Sequence, residues 1–198
     1  MNLVDRAKNI IITPKTEWPV IAGETPNIQQ IIVGYVIPMA LIPVVASILG
    51  GLLFQHGVFF SLTYHIGTAV AVFVAAVIGV FVTAYVIDFL APNFGSERGL
   101  GRAVQLVAYS YTPMWVAGIL NIIPFLGVIA ALAGIYGIYL MYLGLPVQMK
   151  TPQDKVVVYL VVTIIVLLVV YFVLAAIFSG ILLGILGVGA ITTGRGAY

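Results

Sequence analysis

Hydrophobic positions along the chain gather into five long stretches separated by short polar breaks. These stretches lie at about Ile31–Phe54, His65–Leu90, Ala103–Ile122, Phe125–Leu145 and Val156–Phe178. Each is near or above the roughly 20 residues that a helix needs to cross a hydrocarbon core about 30 Å thick. Apolar residues cover every face instead of alternating, which is typical of helices in lipid and not of barrel strands. The pattern predicts an all-α, polytopic transmembrane helix bundle with about five spans.

The same pattern predicts how the chain is organised. Residues 1–30 form a short cytoplasmic or interfacial N-terminal segment, residues 31–191 a single transmembrane helical domain, and residues 192–198 a tail. The last apolar stretch carries no charge from Val156 to Ile191, which is too long for one span. Residues 179–191 therefore either continue the fifth span or re-enter the membrane.

In the N-terminal segment, apolar residues recur at helical spacing with polar residues between them. This predicts a short amphipathic helix lying on the inner leaflet, with its cations toward lipid phosphates and a tryptophan at the interface. The predicted membrane-surface anchors are Arg6, Lys8, Lys15 and Trp18. The alternative interpretation is a solvated tail.

Composition narrows the class of protein further. Hydrophobic residues make up 63% of the 198 residues and charged residues only 7%, against about 25% charged in soluble domains. A chain of this size cannot bury so much apolar surface in water. The absence of cysteine excludes a disulfide scaffold and cysteine chemistry. A net charge of +2 is too small for a nucleic-acid-binding surface, so no nucleic-acid partner is expected.

The basic residues predict an orientation. Of the 8 lysines and arginines, all but Arg195 precede the first predicted span or lie in the loops after the second and fourth spans. Positively charged loops stay in the cytoplasm. The N-terminus and the two basic loops are therefore predicted to be cytoplasmic, and the C-terminus to be outside.

The second predicted span carries small residues at every fourth position. They are Gly67, Ala71, Ala75, Gly79 and Thr83. Small residues let a neighbouring helix approach closely. The row therefore predicts a helix-packing face, used either inside the bundle or between copies of the chain in a homo-oligomer.

Polar and aromatic residues concentrate in the cytoplasmic halves of the second, third and fourth predicted spans. This distribution predicts a polar pocket open to the cytoplasm, and Pro113 is expected to kink the third span just beyond it. The candidate pocket residues are Asp88, Tyr85, Gln105, Tyr109, Ser110, Tyr111, Tyr136 and Tyr139.

Asp88 is the acidic residue that lies inside an apolar span. A carboxylate there costs several kcal/mol, on the order of 3, unless it is paired or protonated, so it is a candidate for function. It also lies close to a basic loop. Pairing with Arg98 or Arg102 would instead make it a structural anchor.

The sequence contains no recognisable catalytic or metal-binding motif. His56 and His65 flank an outer loop with no nearby cysteine or acidic residue, which is not a metal-ligand spacing. Nucleophile-elbow, zinc-protease and phosphate-loop motifs are absent. We expect no enzyme activity, no metal and no cofactor.

Three stretches resemble the Yip1-domain family, in particular its compact prokaryotic members. They are Thr13–Trp18, Ala108–Pro113, and Tyr142–Pro146 running on to Met149–Pro152. The resemblance extends from about residue 5 to residue 180. It implies a multi-pass protein of the prokaryotic cytoplasmic (cell inner) membrane, with five spans and a cytoplasmic N-terminus.

The resemblance says less about partners. Eukaryotic members resemble secretory-pathway adaptors that bind Rab-type GTPases, and they carry a longer N-terminal region with an acidic Asp-Leu-Tyr-Gly-Pro-like motif. That motif is absent here, so Rab-type GTPase binding does not carry over. The expected partners are the lipid bilayer and either a second copy of the chain or another membrane protein.

Two functional hypotheses remain from the sequence. The first is a non-enzymatic membrane adaptor or scaffold that binds partners or organises lipid. The second is a small transporter or channel subunit whose polar inner half receives a solute or proton. The lack of an obvious internal repeat weighs against transport, although a homodimer would supply a second half.

Overall fold

Helices make up all the regular structure in residues 2–54 and 62–194, which are the residues that the computed structural model describes. His56 and Arg195 lie outside the described residues. The helices are α1 (Leu3–Ile12), α2 (Pro14–Gly23), α3 (Ile28–Ile31), α4 (Ile37–Phe54), α5 (Leu62–Leu90), α6 (Leu100–Ser110), α7 (Thr112–Ala117), α8 (Gly127–Gln148) and α9 (Val156–Gly194). A π-helical stretch, Ile32–Val36, joins α3 to α4. The fold is an all-α, polytopic bundle.

Four helices in the described part of the chain are long and apolar enough to cross a membrane. They are Ile28–Phe54, His65–Phe94, Gly127–Gln148 and Val156–Ile177. They correspond to the first, second, fourth and fifth predicted spans. Their ends lie within four residues of the sequence-based ends.

The third predicted span is helical but broken. Helix α6 ends at Ser110, α7 begins at Thr112, and a 3₁₀ turn follows over Gly118–Ile122. Pro113 lies in the first turn of α7, where its missing N–H costs no hydrogen bond. The helix is thus interrupted at Tyr111, close to the proline at which the sequence predicts a kink.

The broken segment still runs from one end of the bundle to the other. Its start lies beside Asp88, which accepts a hydrogen bond from the backbone N–H of Gly99 at 2.6 Å. Its end lies against α4, where the carbonyl oxygen of Ile122 is 2.5 Å from the Cβ position of Gly50. Together with the four long helices, this segment is consistent with about five crossings.

The contacts divide the chain into two units, Met1–Leu160 and Val161–Tyr198. The described part of the second unit is helical throughout, because α9 continues to Gly194. Residues 179–191 thus continue the helix and do not turn back as a re-entrant piece.

The N-terminal segment folds into two helices that pack inside the first unit. Asn2 caps α1 by accepting a hydrogen bond from the N–H of Asp5 at 2.8 Å, and Pro14 starts α2. The Trp18 side chain of α2 is only 1% exposed. It packs on α8 where Gly144 leaves room, since a Cβ there would lie 2.8 Å from the indole ring.

Glycines on α8 also allow close helix contact elsewhere. At Gly137 a Cβ would lie 2.7 Å from the carbonyl oxygen of Ser110, a backbone atom that cannot move aside easily. At Gly134, nearly one turn earlier, a Cβ would meet nothing within 4 Å. Both glycines lie in the same α-helix, but only Gly137 is packed closely against a neighbouring backbone.

We predict that Gly137→Ala lowers the free energy of unfolding by about 1–3 kcal/mol, because the added methyl group overpacks the contact with α6. Gly134→Ala is the matched control and should be neutral or stabilising by up to about 1 kcal/mol, since alanine favours the helix. Thermal melting of both variants in detergent measures the difference. Equal melting temperatures would contradict this packing.

Candidate functional site

A buried arginine ties the N-terminal segment together. The Arg6 side chain lies on the inward face of α1 and is 5% exposed. Its Nη1 donates to Oε1 of Glu17 at 2.6 Å, and its Nη2 forms a second ion pair with Glu24. A buried charge is costly unless it is paired and hydrogen-bonded. The two carboxylates meet that requirement and fix α1 against α2 and the segment that follows it.

Aromatic rings connect this arginine to the membrane-spanning helices. The Arg6 guanidinium lies 5.4 Å from the centre of the Tyr109 ring on α6, within the range of a cation–π contact. Tyr109 in turn packs edge-on against Tyr35 with 4.7 Å between ring centres. The Tyr35 hydroxyl shares a 2.7 Å hydrogen bond with the Thr112 hydroxyl. The N-terminal helices are thus linked to α6, α7 and the π-helical stretch.

A cavity of about 310 Å³ lies beside this cluster. It is lined by Asn2, Leu3, Arg6, Glu24, Thr25, Asn27, Gln30, Ile31, Gly34, Tyr35, Gln105 and Tyr109. The lining includes part of the π-helical stretch, and such stretches are frequent at functional sites. We call it the Arg6 cavity and treat it as the candidate functional site.

Among the described residues that line the Arg6 cavity, one buried side-chain polar atom has no hydrogen-bond partner. Gln105 is 2% exposed, and its Oε1 is without a partner. An orphaned buried acceptor is costly and uncommon in native structures. This atom marks the place where a bound hydrogen-bond donor would be most favourable.

Of the eight candidate pocket residues, the structure places Gln105 and Tyr109 in the Arg6 cavity. The others lie elsewhere. The Tyr111 hydroxyl shares a 2.8 Å hydrogen bond with Thr83, and Ser110 is fully buried. Tyr136 donates to the carbonyl oxygen of Ile11 at 2.7 Å.

Tyr139 is a neighbour of Tyr136 in a second, separate groove. The two rings are 5.6 Å apart, and they line a groove of about 370 Å³ together with residues 12–16. The candidate residues therefore do not form one pocket.

Asp88 belongs to a different arrangement at the end of α5. It accepts hydrogen bonds from Arg98 at 2.8 Å and from the N–H of Gly99 at 2.6 Å. The hydrogen bond to Asp88 raises the pKa of Arg98 above its ordinary value. Arg102 donates instead to the carbonyl oxygen of Ala22 at 2.8 Å. The pairing of Asp88 with Arg98 is one of the two structural pairings that the sequence allowed.

Tyr85, another candidate pocket residue, is exposed and stacks on Phe89 with 6.5 Å between ring centres.

The predicted membrane-surface anchors divide into two pairs. Lys8 and Lys15 are exposed, so a contact with lipid phosphates stays a prediction for them. Arg6 and Trp18 lie inside the protein instead. The physical reason is that Arg6 finds two carboxylates on neighbouring segments, and Trp18 fills the space that Gly144 leaves on α8.

The predicted row of small residues on α5 does not stay on one face. Each step of four residues turns a helix by about 400°, so the row drifts by about 40° per step and by about 160° over its length. Gly67, Ala71 and Ala75 are exposed, Gly79 is half-buried and Thr83 is buried.

Glu17, Glu24 and Tyr35 are not among the site residues predicted from the sequence. Glu24 and Tyr35 line the Arg6 cavity, and Glu17 pairs with Arg6 beside it. One available signal was the presence of two acidic residues shortly before a membrane span. Among the described residues, no group of histidine, cysteine and acidic side chains is arranged to hold a metal ion.

Taken together, the long apolar helices and the polar cluster at one end define a multi-pass, helical integral membrane protein. A family model for the Yip1 domain matches residues 8–177. The chain therefore belongs to the Yip1-domain family.

Relatives of the chain include inner membrane proteins. The chain is 28% identical over 142 residues to the inner membrane protein YohC of Escherichia coli strain K12. The matched region covers 67% of this chain and 73% of that protein. YohC of Escherichia coli O6:H1 strain CFT073 matches equally well. No solved structure matches. The inner-membrane relatives and the apolar helices identify a multi-pass protein of the cell inner membrane.

We predict that Arg6→Met lowers the free energy of unfolding by about 3 kcal/mol or more, because it leaves the buried Glu17 carboxylate unpaired. Lys8→Met, an exposed position on the same helix, is the matched control and should change it by less than about 0.5 kcal/mol. Adding Glu17→Leu to Arg6→Met should recover much of the loss. Thermal melting in detergent tests all three, and similar losses for Arg6→Met and Lys8→Met would refute the buried ion pair.

Proposed function

We propose that this protein is a non-enzymatic membrane adaptor or scaffold that associates through the exposed part of the small-residue row on α5, Gly67, Ala71 and Ala75. The observation that carries the proposal is the position of Gly67, Ala71 and Ala75. These residues are exposed, whereas Ala69 and Val80, on roughly the opposite side of the helix, are buried. The chain's own helices therefore use the other side of α5.

An exposed row of small residues suits one kind of partner best. In lipid, apolar burial does not drive helices together, so association depends on close van der Waals packing between backbones. A Cβ added at Gly67 or Gly79 would meet nothing within 4 Å, so no described residue fills this surface. A second copy fits it, because two identical small rows related by a two-fold axis are complementary to each other.

The polar interior supports a structural role. Asp88 is occupied by Arg98 and Gly99, and Arg6 by Glu17 and Glu24. Neither charge stands free to carry a proton or ion across the bundle. These groups serve to hold segments together, as a scaffold requires.

A transporter or channel subunit is the second candidate. The Arg6 cavity favours it, since polar cavities inside membrane proteins mark solute sites. Its lining comes from the N-terminal helices, the start of the first span and α6, which lie toward one end of the bundle. We rank transport second because the polar lining is confined to that end.

We also propose that the N-terminus is cytoplasmic and the C-terminus outside. The contacts gather the basic loops at one end: Lys150 pairs with Glu97 at 2.9 Å, and Arg102 reaches Ala22 in the N-terminal segment. The N-terminal cations lie in the same segment. Under the positive-inside rule this end faces the cytoplasm.

Disulfide crosslinking tests the adaptor proposal, because the chain has no native cysteine. We expect Ala71→Cys and Ala75→Cys to give disulfide-linked dimers when native membranes are oxidised. Val70→Cys is the matched control, since Val70 is 56% exposed but lies about 100° away around the helix. Dimers at Ala71 and Ala75 but not at Val70 support the proposal. Equal yields at all three positions, or none, would overturn it.

A further inference from the structure

We propose that the Arg6 cavity binds a primary ammonium group, carried either by an aminophospholipid headgroup or by a free small amine. This inference does not depend on the association of α5. It rests on three properties of the cavity: its charge, its orphaned acceptor and its place at the start of the first span.

The charge of the cluster favours a cation. One positive group, Arg6, is paired with two carboxylates, Glu17 and Glu24, which leaves an excess of one negative charge. Glu17 is buried, but the Glu24 side chain is 41% exposed and lines the cavity. Arg6 contacts Oε1 of Glu24, so a carboxylate oxygen remains at the cavity wall for a second donor.

The orphaned acceptor selects a hydrogen-bond donor. Oε1 of Gln105 can only accept, and it lies buried in the cavity wall without a partner. An ionised carboxylate or a phosphodiester has no proton to offer, and any anion would face two glutamates. A primary ammonium offers three N–H donors, enough to reach both Gln105 and Glu24, and a quaternary ammonium offers none.

Size and position narrow the ligand further. At about 310 Å³ the cavity is at the small end of ligand pockets, which run from about 300 to 1,000 Å³. Its wall includes Gln30, Ile31 and Gly34 at the start of the first membrane-spanning helix. A cavity at this position is close to the level of lipid headgroups, which makes a headgroup amine and a free amine both accessible.

Native mass spectrometry of the full-length protein in detergent tests the proposal. The probes are phosphatidylethanolamine, phosphatidylcholine and phosphatidylglycerol with matched acyl chains, and ethanolamine and putrescine alone. Three of these probes carry a primary amine: phosphatidylethanolamine, ethanolamine and putrescine. We expect at least one of the three to bind at a 1:1 ratio about tenfold or more tightly than phosphatidylcholine. Binding of phosphatidylethanolamine but not of the free amines identifies a lipid site, and the reverse identifies a free-amine site. No preference for any primary amine overturns the proposal.

Paired variants separate ligand binding from folding. Gln105→Leu removes the acceptor and should weaken amine binding about tenfold or more, the usual effect of losing a hydrogen bond to a charged group. Gln148→Leu is the matched control, because Gln148 is 5% exposed, has both amide atoms unpartnered and does not line the cavity. It should leave amine binding unchanged.

A charge variant supplies the second check. Glu24→Gln keeps a hydrogen-bond acceptor for Arg6 but removes the excess negative charge, and should also weaken amine binding about tenfold. Melting temperatures are recorded for every variant. Equal weakening by Gln105→Leu and Gln148→Leu, or full binding by Gln105→Leu with a retained melting temperature, would overturn the assignment.

Discussion

The need to pair a buried guanidinium organises the end of the helix bundle where the N-terminal segment packs. Arg6 lies on the inward face of a short amphipathic helix, and leaving its charge unpaired would cost several kcal/mol, on the order of 3 to 5. Glu17 and Glu24 supply the partners, and the Tyr109 ring adds a cation–π contact. Through these groups, a segment that would otherwise lie free at the surface becomes part of the helix bundle.

Other contacts at the same end have a similar effect on the loops. Ser96 donates to the Thr151 hydroxyl at 2.9 Å, and the N–H of Glu97 donates to the carbonyl oxygen of Met149 at 2.8 Å. The Tyr159 hydroxyl donates to the carbonyl oxygen of Ile87. Polar groups near the membrane must find partners, and here the two basic loops and the helix ends beside them supply these partners to one another. The result is a polar, highly connected layer beneath apolar helices.

The membrane spans could be predicted from the sequence because lipid imposes a simple requirement. A helix that crosses the hydrocarbon core must be apolar on every face over about 20 residues, so composition alone located four long helices. The break near Pro113 was also predictable, since proline lacks the N–H that a continuous helix needs. Arg98 and Arg102 were the two possible partners of Asp88. The pairing with Arg98 could be predicted because the two residues are only 10 positions apart in the chain.

The site itself was less accessible to sequence reasoning. The partners of Arg6 lie 11 and 18 residues away in the chain, and nothing in local periodicity connects a residue on α1 with one carboxylate on α2 and another just after it. The sequence pattern predicts a single face for the small residues on α5, but a period of four drifts around a helix of 3.6 residues per turn. The hydrophobic pattern therefore predicted the helices, whereas the candidate site depends on contacts between separate segments of the chain.

The most direct test of this account is the environment of Trp18. The chain has 2 tryptophans, so Trp115→Phe leaves Trp18 as the single reporter of fluorescence in reconstituted bilayers. The account predicts weak quenching both by brominated phospholipids and by aqueous acrylamide, and stronger quenching when Arg6→Met is added. Strong quenching by lipids brominated near the headgroup, with Arg6 intact, would place Trp18 at the membrane surface and contradict the account.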